Sequence, residues 1–158
     1  MRRKAPYLIL AGLLVAADQV TKFLVAARIF QGQTVTVIPG FFNLVHVHNR
    51  GAIFGLLSQS VNPWVRRGLL AASLAALVFV IYYFARTPAA EKGVLVGLTL
   101  ILSGALGNQV NRLWPGYVVD FLDLHIGGAH WPFFNVADSC ITIGGVWLLI
   151  TFVFRRRS

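Results

Sequence analysis

Four stretches of this chain are apolar for long enough to cross a bilayer, and the polar segments between them carry a pattern of their own. The apolar runs extend from about Pro6 to Ala27, Gly68 to Ala85, Gly93 to Leu113 and Val136 to Phe154. A hydrocarbon core needs about 20 mostly apolar residues per helical crossing. Backbone groups find no partner in lipid, so each run is predicted to be a helix. Between the first two runs, Thr34–Ile38 reads as a strand, Pro39-Gly40 as a turn, and Phe42–His48, which alternates apolar and polar positions, as a second strand. Asn49-Arg50-Gly51 ends that strand. Residues 52–57 are short, apolar and uncharged, and are predicted to form a helix lying in the membrane interface. The pattern predicts an all-α membrane protein with a small β element outside the bilayer, in one domain over 1–158. Its longer loops cover about 28–67 and 114–135. The second is rich in aromatics, including Trp114, Tyr117 and Trp131, and reads as a loop at headgroup depth.

Charge sharpens the topology. Lys and Arg number 14 against 5 Asp and Glu, a net charge of +9. That balance would suit nucleic acid, but its placement does not: Arg2, Arg3 and Lys4 precede the first run, and Arg155–Arg157 follow the last. Together with Arg86 and Lys92 in the short middle loop, they put both tails in the cytoplasm and exclude a nucleic-acid partner. Arg66 and Arg67, at the outer end of the second run, go against this bias. The basic start followed by an apolar core also resembles a cleavable leader, but the run continues past Asp18 for a full span, so retention is expected. The single cysteine, Cys140, lies in an apolar run and reads as a small buried hydrophobe.

Chemistry is concentrated in the few acids. Asp120 (in Val118–Phe121) and Asp138 (in Phe134–Asp138) flank one short outer segment at the ends of the third and fourth spans. Two carboxylates sharing a partly dry site cannot both ionise easily, which leaves one acid and one base near neutrality. This is the arrangement used in aspartic proteolysis. Structural alternatives stand beside it: Asn135 and Asp138 have the spacing of a capping box, and Asp120 suits a turn paired with Arg112. Asp18 and Lys22 are spaced i,i+4 and read as a structural ion pair. Asn108 and Arg112 repeat that spacing at the outer end of the third span. Ser103–Gly107, with Gly104 among its small residues, permits close approach of another backbone or of an extended peptide. Asp123 reads as solvent-facing or structural. His46, His48, His125 and His130 lack metal-motif spacing, and neither metal nor cofactor is expected. A proton-coupled transporter using Asp18, Asp120 and Asp138 is the alternative function.

Taken in order, DQVTK (Asp18–Lys22), HNRGAIF (His48–Phe54), SGALGNQVNR (Ser103–Arg112), VVDF (Val118–Phe121) and FNVAD (Phe134–Asp138) resemble the lipoprotein signal peptidase family, signal peptidase II. The resemblance covers almost the whole chain. It implies four transmembrane helices with an extracytoplasmic β-cradle and a short periplasmic interfacial helix, in the bacterial inner membrane. The activity implied is aspartyl endoproteolysis of prolipoproteins just before a cysteine carrying diacylglycerol, with Asp120 and Asp138 as the catalytic pair. Asn49, Gly104, Asn108, Arg112 and Asn135 fall at substrate-binding positions, and Asp18 and Lys22 at a structurally important one. Implied partners are prolipoproteins, membrane lipid and cyclic peptide inhibitors such as globomycin. Where the family usually reads GNxxDR, this chain has Asn111, so a carboxylate expected near the pair is missing.

Overall fold

The structure, a computed structural model, describes residues 2–51 and 62–155. A short 3-10 turn, η1 (Arg2–Lys4), leads into α1 (Ala5–Arg28). The strands β1 (Thr34–Ile38) and β2 (Phe42–Asn49) follow, then α2 (Pro63–Arg86), α3 (Lys92–Leu113), β3 (Val118–Ile126), β4 (Ala129–His130) and α4 (Val136–Arg155). All four α-helices are long and apolar enough to cross a membrane. Segment 52–57, read from sequence as an interfacial helix, lies outside the described residues.

The second span starts earlier than its apolar run. Asn62 accepts the Trp64 N–H at 2.9 Å, and Pro63 occupies the first helical turn, where its missing N–H leaves nothing unsatisfied. Arg66 and Arg67 are therefore helical residues rather than part of the loop.

α3 is the centre of the bundle. In its most apolar window 61% of the residues are buried, against 11–22% in the other three helices. Glycines let α4 approach it closely: a Cβ on Gly97 would meet Leu148 at 2.6 Å, and one on Gly144 would meet the Gly97 carbonyl oxygen at 2.8 Å. Outward-facing Leu8, Phe23, Phe79 and Leu149 leave an apolar exterior larger than a water-soluble monomer shows. At the end of the bundle holding the N-terminus, Lys4 Nζ donates to the Phe84 and Ala85 carbonyls, 2.8 Å each, and so satisfies the last turn of α2.

The sheet occupies the other end, in antiparallel order β1-β2-β3-β4. β1 and β2 match the sequence reading, with β2 continuing through Asn49. β3 falls in the segment 114–135 that the sequence pattern reads as loop. It is buried on both faces through Val118–Phe121, so it lacks the alternation that marks a half-exposed strand. Val119 and Phe121 pack on Val25 and Ile29 at the end of α1 and fasten sheet to bundle. The β2–β3 register sets Val47 opposite Asp120 and Asn49 opposite Val118.

Candidate functional site

Where the sheet meets the bundle, buried polar side chains form one continuous network. Asp120, on β3, is 2% exposed. Asn49 Nδ2 donates to its Oδ2 at 2.8 Å and Asn135 Nδ2 to its Oδ1 at 2.7 Å. Neither amide can turn round without loss, because each carbonyl end is engaged. Asn49 Oδ1 accepts the Gly51 N–H at 2.9 Å, and Asn135 Oδ1 accepts the Asp138 N–H at 3.0 Å. Asn135 therefore caps α4 and grips Asp120 with one side chain, and it brings Asp120 and Asp138 to the same place. The expected capping geometry is half present: the N-cap amide accepts from the third helical residue, while the Asp138 side chain turns away to α3, where Asn108 Nδ2 donates to its Oδ1 at 2.8 Å.

The network continues into α1. Lys22 Nζ donates to Asn108 Oδ1 at 2.9 Å, to Asp18 Oδ2 at 2.7 Å and to Asn111 Oδ1 at 3.1 Å. Asp18 Oδ1 accepts the Ala137 N–H of α4 at 2.9 Å. Asp18 and Lys22 are nearly sealed from solvent, and a Cβ on Gly107 would come within 2.6 Å of Asp18 Oδ2. Charge compensation and helix packing at this point are thus one arrangement. Gly104 contributes to packing as well. A Cβ there would collide with the Ala137 carbonyl, so its bare face meets α4.

Burial, and then the neighbouring charge of Asp138, push the Asp120 carboxyl up to about 7. The Asn49 and Asn135 amides and the charge of Lys22 oppose that rise without cancelling it. No ion pair joins Arg112 to Asp120 among the described residues, although the charges of both Asp138 and Asp120 act on it. Arg112 lines two adjoining cavities, one of about 310 Å³ between α2 and α3 and one of about 250 Å³ at the mouth. Sequence reasoning missed Ser73 on the larger cavity, whose hydroxyl donates to Gln109 Oε1 at 2.9 Å.

The other polar candidates stand apart. Asp123 is buried, not solvent-facing. Burial alone would raise its carboxyl, but hydrogen bonds from Asn43 at 2.8 Å and His130 at 2.7 Å hold it below the usual range. His46 Nδ1 lies 2.8 Å from the Ile29 carbonyl oxygen, and its Nε2 lies 3.0 Å from Nε2 of His48, which stacks on Tyr117. Burial, then His46 and Arg50, lower the His48 pKa.

Asn111 reaches the Asp120–Asp138 pair only through Lys22 and Asn108, accepting from Gln19 at 3.0 Å and from Lys22. An Asn111→Asp variant keeps both acceptor contacts, and its turnover should stay within about twofold of the parent. Asn111→Ala, which strips an acceptor from the buried Lys22 ammonium and the half-buried Gln19 amide, should lose about 1–3 kcal/mol of stability. Thermal unfolding in detergent, alongside turnover, checks both.

Comparison with known proteins agrees along the whole chain. The profile described as "Signal peptidase (SPase) II" matches residues 10–154. A lipoprotein signal peptidase of Francisella tularensis subsp. novicida is 45% identical over 158 residues, covering 100% of this chain and 98% of the relative. One from Syntrophus aciditrophicus is 39% identical, covering 96% and 94%. A solved bacterial membrane enzyme, determined by the in meso method, superposes with a TM-score of 0.82 at 33% identity, over 94% of this chain and 88% of its own.

Proposed function

The chain belongs to the signal peptidase II family, and on that premise we propose that Asp120 and Asp138 are the catalytic pair of an aspartyl endopeptidase that removes signal peptides from prolipoproteins. Cleavage falls on the N-terminal side of a diacylglyceryl-modified cysteine. The transporter alternative finds no support in these matches. The observation that carries the reading is the double grip of Asn135, which bonds the buried Asp120 carboxylate and the backbone N–H of the buried Asp138, with the Asp138 charge helping to push the Asp120 carboxyl up to about 7.

Such a pair holds one proton and titrates as a unit. The ionised carboxylate takes a proton from a water molecule, whose oxygen attacks the scissile carbonyl carbon. The protonated carboxyl gives its hydrogen to the carbonyl oxygen. Collapse of the tetrahedral intermediate then breaks the C–N bond as a proton passes to the leaving amine. Asn49 and Asn135 fix Asp120, Asn108 fixes Asp138, and Arg112, lining both cavities, is placed to hold peptide carbonyls. Gly104 acts indirectly, by seating the start of α4. Asp18 and Lys22 secure α1 to α3 and α4. The sheet forms an extracytoplasmic cradle, the site faces the periplasm and both termini are cytoplasmic in the bacterial inner membrane, which fits the basic tails. Surrounding lipid presents the lipidated cysteine at this depth, and globomycin competes for the same site.

A gel-shift assay tests this reading. The purified protein with a lipidated preprolipoprotein should convert it to a faster-migrating band, and globomycin should prevent the conversion; no conversion by the unmodified protein would end the proposal. The pH profile is a further prediction. Activity requires the pair to keep its one proton, so kcat/KM should fall as pH rises through the region of about 7 to which the Asp120 carboxyl is pushed, where the pair gives that proton up. The Asn49 amide favours the ionised form, so Asn49→Ala should move that limb to higher pH. An unmoved limb would detach Asp120 from the titration.

A further inference from the structure

Arg50, Arg66, Arg67 and Arg112 line one cavity of about 250 Å³. They arrive from three places: the residue after β2, the start of α2 and the last turn of α3. The chain has only five acidic residues, and each is placed elsewhere. Asp18 is bonded to Lys22, and Asp123 to His130. Glu91 precedes the first residue of α3, a helix length away from Arg112. Asp120 and Asp138 are held by asparagines, and although their charges reach Arg112, no ion pair among the described residues includes any of the four arginines. Residues 52–61 contain no acid. Converging like charges raise the local potential and draw an anion from outside the chain.

We infer that this cavity binds the phosphate of an anionic phospholipid. The planar guanidinium fork matches phosphate oxygens. Trp64 is 74% exposed, and the Arg67 guanidinium lies 4.9 Å from its ring centre, the arrangement of a side chain at headgroup depth. The mouth cavity also shares Gly51, Leu69 and Arg112 with the apolar cavity of about 310 Å³ between α2 and α3. A ligand with an anionic head and an apolar tail uses both spaces, whereas free phosphate uses one. Choline-headed lipids carry a cation that the arginines repel. This accounts for Arg66 and Arg67 at the end of a span where the distribution of basic residues disfavours them.

The test compares lipid retention by native mass spectrometry after reconstitution of the full chain in nanodiscs mixing phosphatidylglycerol and phosphatidylcholine of identical acyl chains. The unmodified protein should retain phosphatidylglycerol about tenfold or more above its input ratio. Arg66→Gln should reduce that about fivefold, and the Arg66→Gln/Arg67→Gln pair should bring retention close to input. Arg50→Gln, on the connection outside the helices, should give a similar fall without altering α2. Enrichment unchanged in all three variants overturns the inference. Enrichment abolished by millimolar inorganic phosphate in the unmodified protein also overturns it, by assigning the cavity to a free anion.

Discussion

Asp138→Asn and Asp120→Asn are each expected to lower cleavage of a lipidated prolipoprotein by about 10³-fold or more, since an amide neither takes a proton from water nor donates one as an acid does. The double variant should be no worse than either single one, because the carboxylates act as a unit. Stability separates them. Asp138 accepts through Oδ1 from Asn108, and an asparagine preserves that contact. Asp120 accepts through both oxygens, from two amides whose other ends are engaged. An asparagine at 120 must set its own NH₂ against one of them, and that variant should lose about 1–3 kcal/mol. Turnover by gel shift and thermal unfolding of the same preparations give both readings. Measurable turnover close to the parent in either single variant would remove that residue from the catalytic pair.

Lys22→Met should be the most destabilising single change outside the pair. It leaves the Asp18 carboxylate buried without its cation and removes donors from Asn108 and Asn111. Breaking one side of a buried ion pair costs about 3–5 kcal/mol, whereas replacing both sides with apolar groups is often close to neutral. Asp18→Leu/Lys22→Met should therefore unfold at a higher temperature than Lys22→Met alone, although loss of the Asp18 bond to Ala137 keeps it below the parent. If Lys22→Met melts with the parent, the ion pair has no structural importance.

Much of this architecture was legible in the sequence. Lipid demands helices of sufficient length, and the four apolar runs announced them to within a few residues at most ends. The second helix began earlier because Asn62 and Pro63 form a start signal ahead of two charges that looked like loop. β2 could be read because one of its faces is polar, while β3 could not, because both of its faces are buried around Asp120. The two carboxylates were picked out by the scarcity of acids. Their supports were less visible. The cap at Asn135 is a local signal, but its bond to Asp120 depends on the pairing of Phe134 with Leu122, which no spacing rule reveals. The small residues around Gly104 read equally as a surface for another backbone or for an extended peptide, and Gly104 itself meets α4; helix packing and peptide docking leave the same small-residue signature.

The bond from the Ala137 N–H to Asp18 spans 119 residues, from near the end of the chain to its first helix. During synthesis α1 exists long before α4 does. Until α4 docks, one acceptor oxygen of Asp18 lacks this partner, and Asp138 and the Asn135 cap are absent. The first span thus carries an unfinished joint that only the last can close. A chain truncated or stalled before α4 would carry Asp120 without Asp138, and on the proposed catalytic pair it is expected to cleave nothing.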